Sequence, residues 1–170
     1  MKVMTMDQSF QAAGVRQALR SFHYGLHILT CGLGDTAHAA TITWVMQISL
    51  KPRRVAVGIR KDSHIYTVVR EHGVFALNVV GEGQEDLAAT FFKYVAPLER
   101  RFASYPFEEG ATTGSPLLLD CVAWLECRLV EEANEGGDHG LFVAEILSGG
   151  VRVESPKALS LATTPWSYGG

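Results

Sequence analysis

The residues of this 170-residue chain that can do chemistry fall in a few short stretches. Lys61-Asp62-Ser63 stands between a strand-like run and a helix-like one. There a cation, a hydroxyl and the free amides of a helix start can together hold a phosphate dianion. Taken alone, Lys61 is a solvated surface lysine and Ser63 a helix cap. His139, in the turn Gly136-Gly137-Asp138-His139-Gly140, carries an imidazole that changes charge near neutral pH, and its plain reading is an exposed turn residue. Asn78 interrupts an apolar run, which points to a buried amide hydrogen bond. Thr41, Thr43 and Ser49 add hydroxyls along a stretch where β-propensity alone also accounts for them.

Other chemistries lack an anchor. Gly32-Leu33-Gly34-Asp35-Thr36-Ala37 matches the dinucleotide fingerprint G-x-G-x-x-A in form. That fingerprint requires a following helix to receive the pyrophosphate, and here strand-like residues follow, so a hairpin turn is the better reading. The chain has no G-x-S-x-G, H-E-x-x-H or G-x-x-x-x-G-K motif. His23 and His27 are four apart, but no carboxylate or cysteine joins them at metal-ligand spacing. Cys31, Cys121 and Cys127 are odd in number and lack C-x-x-C spacing, so they read as reduced, mostly buried thiols.

The elements that must position these groups follow from periodicity. A first helix is expected from Asp7 or Ser9 as N-cap, with Phe10, Ala13, Leu19 and Phe22 at helical spacing. Leu26–Cys31 and Ala37–Ser49 read as two strands joined by a hairpin, and Arg53–Ile59 as a third. Ser63 then caps a helix with Ile65, Val68, Val69 and His72 on one face, stopped by Gly73. Phe75–Val80 is a strand, and a helix carrying Leu87, Ala88 and Phe91 inward follows Gly81-Glu82-Gly83. Residues 97–116 show no period and read as a long irregular loop. From 122 to 130 alternation places Ala123, Leu125, Cys127 and Leu129 on one face, with Trp124, Glu126 and Arg128 on the other. A hairpin at Gly136–Gly140 returns the chain into a strand from Leu141 to Leu147.

Size and charge set outer limits. The length suits one domain, here taken as residues 1–170, with a substantial core. A formal charge of only −3 gives no field to hold a nucleic acid, yet a small phosphorylated ligand needs only local donors. No stretch reaches the roughly 18 apolar residues that span a bilayer, and residues 1–7 lack the apolar core of a signal peptide. No membrane partner is expected, and the cytoplasm is the expected compartment.

In order and spacing these stretches resemble the flavin reductase-like, FMN-binding split-barrel family, from about Phe22 to Tyr168. Phe22–Thr30 is similar to its opening strand, and Thr41-Ile42-Thr43-Trp44 through Gln47, Ser49 and Pro52 to its flavin-binding strand. Lys61-x-Ser63 resembles its phosphate-holding K-x-S, and Phe75-x-Leu77-Asn78-Val79 its F-x-V-N-V strand. Asp138-His139-x-Leu141 resembles its D-H-x-L strand, and Trp166-Ser167-Tyr168-Gly169-Gly170 its closing L-x-Y-x-G-G. Two positions depart from the pattern. Ile65 replaces a threonine of the phosphate pocket, and the Trp44 indole stands where asparagine or serine is common.

The resemblance implies an all-β to α+β fold, a split β-barrel of six or so antiparallel strands in Greek-key order with short peripheral helices. It implies FMN, or FAD, held by Thr41, Ile42, Thr43, Trp44, Gln47, Ser49, Lys61, Ser63, Asn78 and Trp166. It also implies NADH or NADPH as hydride donor, with catalytic His139 near the nicotinamide, and no metal. The implied partners are a second copy of the chain, as a homodimer, and an oxygenase or another electron acceptor that takes the reduced flavin. The alternative is a non-catalytic flavin, F420 or haem protein that relays electrons.

Overall fold

The computed structural model describes residues 6–169, and their side chains from Ala12 onward. A hairpin of β1 (His27–Cys31) and β2 (His38–Ile42), closed by a 3-10 turn at Gly34–Thr36, opens the body of the fold. Two residues later β3 (Val45–Leu50) begins and turns back into β4 (Arg53–Arg60). Helix α2 (His64–His72) and β5 (Val74–Val79) follow, then helix α3 (Glu85–Thr90). Four short strands come next: β6 (Pro97–Leu98), β7 (Arg101–Phe102), β8 (Tyr105–Glu109) and β9 (Pro116–Leu118). The long hairpin β10 (Ala123–Ala133) and β11 (His139–Val151) ends the regular structure.

Seven strands form one antiparallel sheet in the order β2-β1-β5-β10-β11-β4-β3. Its two edges, β2 and β3, are consecutive in the chain and separated only by Thr43 and Trp44. The three Cα steps from Ile42 to Val45 reach at most about 11 Å, so the sheet has to curl until its edges come close. The result is a split barrel that stays open, its main sheet of seven strands in keeping with the six or so expected.

Strand β1 is buried on both faces, which explains why its adjacent residues Ile28 and Leu29 are both apolar. Leu29 and Cys31 point into the curl with Val57, Phe75, Leu77 and Phe142. Ile28 points the other way, toward Leu87, Phe91, Phe102, Phe107 and Leu118. The three cysteines are buried and free, and burial pushes each thiol up to about 12.

Four expectations need correction. Asp7 and Ser9 lie within helix α1 (Met6–Arg20), not at a position before it, and their side chains are outside those described. Ala13, Leu19 and Phe22 are exposed instead of facing a core, and Phe10 is outside the described side chains. Residues 97–116 are not an irregular loop, since β6 to β9 form a four-stranded sheet of their own. In β10 a register shift between Glu126 and Cys127 breaks the alternation and turns Glu126 inward, fully buried, against the expected polar face. In α2, Tyr66 takes the inward place expected of His72, while Ile65, Val68 and Val69 are buried as read and Gly73 adopts the left-handed stop.

Candidate functional site

The curl brings β2, the end of β4, the start of α2, the segment after α3 and residues 161–168 around one cleft of about 490 Å³. Thr41, Ile42, Thr43, Ser63, Phe92 and Trp166 all line it. Their donors differ in availability. The Thr41 hydroxyl donates to Ala88 O (2.7 Å) and its N–H to Phe91 O (3.1 Å), so this residue ties β2 to α3. Ile42 is apolar wall, 8 % exposed. Thr43 is 7 % exposed, and its hydroxyl has no partner within the protein. A buried hydroxyl left unpaired is costly, and Thr43 stands in the wall of the cleft.

At the other end of the cleft Ser63 occupies the N-cap position of α2, but its hydroxyl donates to Arg60 O (2.6 Å) instead of accepting from the helix. Ile65 lines the wall there too. Lys61 does not reach this cleft. Its ammonium donates to the hairpin carbonyls of Asn134 (2.9 Å) and Glu135 (2.7 Å). The cation that lines the cleft is Arg60, paired with Asp62.

A second, more open cleft of about 730 Å³ is lined by Arg60, Lys61, Asp62, Asp138, His139 and Trp44. His139, 9 % exposed, sits in a hydrogen-bonded chain, with Asp138 Oδ1 2.8 Å from Nδ1 and Tyr168 Oη 2.6 Å from Nε2. That chain sets the tautomer: the carboxylate accepts from Nδ1–H, leaving Nε2 to accept from the phenol. The bond from His139 holds the Asp138 carboxyl below its usual range. Burial pushes the Tyr168 phenol up, keeping it a donor at neutral pH. Trp44 lies against His139 (ring centroids 4.4 Å) and edge-on to Tyr168 (5.4 Å). Gly58 makes the room, since a Cβ there would come within 2.9 Å of the indole.

The model of the flavin reductase like domain matches residues 19–164. The chain belongs to that family. An NADPH-flavin oxidoreductase of Streptomyces viridifaciens is 33 % identical over 136 residues, covering 79 % of this chain and 70 % of the relative. A diflavin flavoprotein of Synechocystis sp. is 31 % identical over 138 residues, covering 81 % of this chain and 24 % of that protein. The chain thus spans about a quarter of the length of the diflavin flavoproteins it matches. Among solved structures, the flavin reductase component of a bacterial two-component tryptophan halogenase superposes with TM-score 0.73 at 28 % identity, over 84 % of this chain and 89 % of that one. The styrene monooxygenase flavin reductase of Pseudomonas putida S12 gives 0.69 at 27 %, over 85 % and 89 %.

In this flavin reductase like domain the residues singled out by resemblance divide in two. Thr41, Ile42, Thr43, Ser63 and Trp166 meet in the 490 Å³ cleft, while Trp44, Lys61 and His139 line the polar one beside it. Gln47 and Ser49 reach neither. The Gln47 amide donates to Ser49 O on an edge strand. Asn78 is also away from both, fully buried, with its amide donating to Ile28 O (3.1 Å) and Thr30 Oγ1 (3.0 Å) and its oxygen accepting from Leu118 N–H (2.8 Å). It joins β1 and β5 to β9. Sequence reasoning passed over Arg60 and Tyr168, which line both clefts. Arg60 adjoins the K-x-S motif and Tyr168 lies inside the closing one, so proximity to motifs was the signal available.

Proposed function

We propose that this chain is a flavin reductase, binding FMN or FAD in the 490 Å³ cleft and drawing hydride from NADH or NADPH. The unpartnered Thr43 hydroxyl in the cleft of a flavin reductase like domain carries this reading. Thr43 would hydrogen-bond the ring edge, Trp166 and Phe92 would border it, and Arg60, Ser63 and the start of α2 would hold the phosphate. Lys61, tied to its carbonyls, would act there only as a distant charge. A flavin bound there accepts a hydride from the nicotinamide and hands its electrons on. The protein's part is to orient two flat rings and exclude water between them. His139, held in one tautomer by Asp138, would orient the nicotinamide from the polar cleft.

The named relatives that are components of halogenase and monooxygenase systems support an oxygenase as recipient of the reduced flavin. Exposed Met46, Ile48 and Leu50 along edge strand β3 support a second copy as partner. The deciding experiment is titration of the purified chain with FMN and FAD, followed by NADH and NADPH oxidation monitored at 340 nm. Flavin perturbation in the visible spectrum with turnover of either nicotinamide is expected. A chain that binds flavin but oxidises neither nicotinamide would instead be an electron relay, and one that binds no flavin would end both readings.

A further inference from the structure

The two clefts share Tyr168 and Arg60, so the Tyr168 phenol stands in the wall between them. This ring has an unusual set of contacts. It is a flat six-membered ring, edge-on to the Trp44 indole, and its one polar substituent donates to His139 Nε2 at 2.6 Å. A nicotinamide has the same description: a flat six-membered ring with one polar substituent, a carboxamide whose N–H groups can donate to the same nitrogen. The tautomer fixed by Asp138 presents an acceptor, so it suits both.

The segment that carries Tyr168 is lightly held. Among the described residues, the hydrogen bonds of 165–169 are the Trp166 N–H to Thr164 Oγ1, within the segment's own neighbourhood, and the Tyr168–His139 bond. Gly169 follows at φ +80°, with a Cβ position only 3.1 Å from the indole, so the backbone turns closely over Trp44 on a residue without a side chain. Tyr168 itself is 37 % exposed.

We propose that Tyr168 is a placeholder for the nicotinamide ring. Its phenol fills the subsite beside Trp44 and on His139 Nε2, and a nicotinamide entering through the polar cleft binds by displacing it. The proposal rests on the flavin reductase reading and deepens it by naming the nicotinamide subsite and its competitor. Apparent affinity for the dinucleotide is then reduced by the fraction of molecules in which Tyr168 has vacated the subsite. Weakening the placeholder should tighten binding, opposite to the effect of removing a residue that touches substrate.

The test is the KM for NADH and NADPH at saturating FMN in the full chain, in Tyr168→Phe and in Tyr168→Ser. Loss of the single hydrogen bond in Tyr168→Phe should lower KM about five-fold, and loss of the ring in Tyr168→Ser should lower it at least as far. A KM that is unchanged or higher in Tyr168→Phe overturns the proposal. A second readout needs no turnover. In wild-type protein labelled with 3-fluorotyrosine, the fluorine resonance missing from Tyr168→Phe should move toward the free amino acid's position on saturation with NAD+ or NADP+ in the presence of FMN. A resonance that stays in place under both overturns the proposal. Wild-type protein that oxidises neither nicotinamide with FMN defeats the flavin reductase reading first, whereas turnover with both readouts unmoved defeats the placeholder alone.

Discussion

Thr43 separates binding from folding more cleanly than any other residue in the cleft. Its hydroxyl is buried without a partner, so replacing it by the near-isosteric valine removes an uncompensated desolvation cost. Thr43→Val should leave the melting temperature equal or higher, while the dissociation constant for FMN rises about five-fold, the worth of one hydrogen bond of ~1 kcal/mol. Parallel thermal melts and flavin titrations check both halves, and a loss of stability without a loss of affinity would remove Thr43 from the binding site. His27 makes a second residue-level prediction. Burial lowers its pKa to about 4 and its Nδ1 has no partner, so the folded state holds it neutral. A group depressed from 6.5 to about 4 contributes stability that is complete above about 6.5 and is lost as pH falls toward 4, about 3 kcal/mol in all. Burial depresses His38 too, with His64 and His72 adding to it, in the same direction. Urea midpoints at pH 7.5 and 5 should differ markedly in wild type and less in His27→Leu. Residue identities alone were an uneven guide to these roles. Thr43 lines one cleft and His139 the other, because strand positions leave a side chain little choice of direction. Lys61 has a long stem, and its direction was decided by the Asn134–Glu135 carbonyls some seventy positions away, which nothing local encodes.

Among the elements, α2 was readable because several independent signals agreed: a serine at the N-cap position, apolar spacing and a glycine stop. The small sheet of β6 to β9 was not. Its strands are two to five residues long, too short to show a period. Its turns place Glu99, Arg100 and Ala103 at positive φ, where the expected punctuation would be glycine or asparagine. What fastens this arm lies at its far end. Buried Glu126 accepts from the Thr113 N–H (2.7 Å) and hydroxyl (2.9 Å), from the Thr112 N–H (3.1 Å) and from the Ser148 hydroxyl (2.5 Å). Burial alone pushes this carboxyl up, but the bonds from Ser148, Thr113 and Thr112 together outweigh it and hold the pKa below the usual carboxylate range. The stability it contributes is therefore present above the ordinary value and lost as pH falls through the lower native one. In Glu126→Gln one oxygen becomes a donor facing other donors, so about 2 kcal/mol should be lost. A larger increase in hydrogen exchange at Thr112 and Thr113 than in β10 would locate the loss, and uniform exchange would show that Glu126 does not fasten the arm.

At the scale of the whole molecule, the antiparallel β character was legible while the opening in the barrel was not. Strand count and closure depend on pairings far apart in sequence, and Ala37–Ser49, read as one strand, is divided at Thr43-Trp44 between the sheet's two edges. That division leaves β3 as an edge with free backbone donors and acceptors. Along it Met46 is 63 % exposed, Ile48 41 % and Leu50 77 %. Natural edge strands usually carry charge, proline or cover, and this one instead presents apolar side chains, with Leu141 and Val130 also exposed on the neighbouring hairpin. Burying a methionine or leucine side chain contributes about 1.5–3 kcal/mol, so a few such residues meeting their equivalents across a twofold axis would hold a dimer. We therefore expect light scattering to give twice the 18.5 kDa chain mass for wild type. Met46→Lys combined with Leu50→Lys places like charges against their own copies on a twofold axis and should shift the mass to that of one chain. Because both side chains are exposed in the single chain, its melting temperature at low concentration should change little. A wild-type mass of one chain, or a dimer that tolerates both lysines, would show that β3 is not where two copies meet.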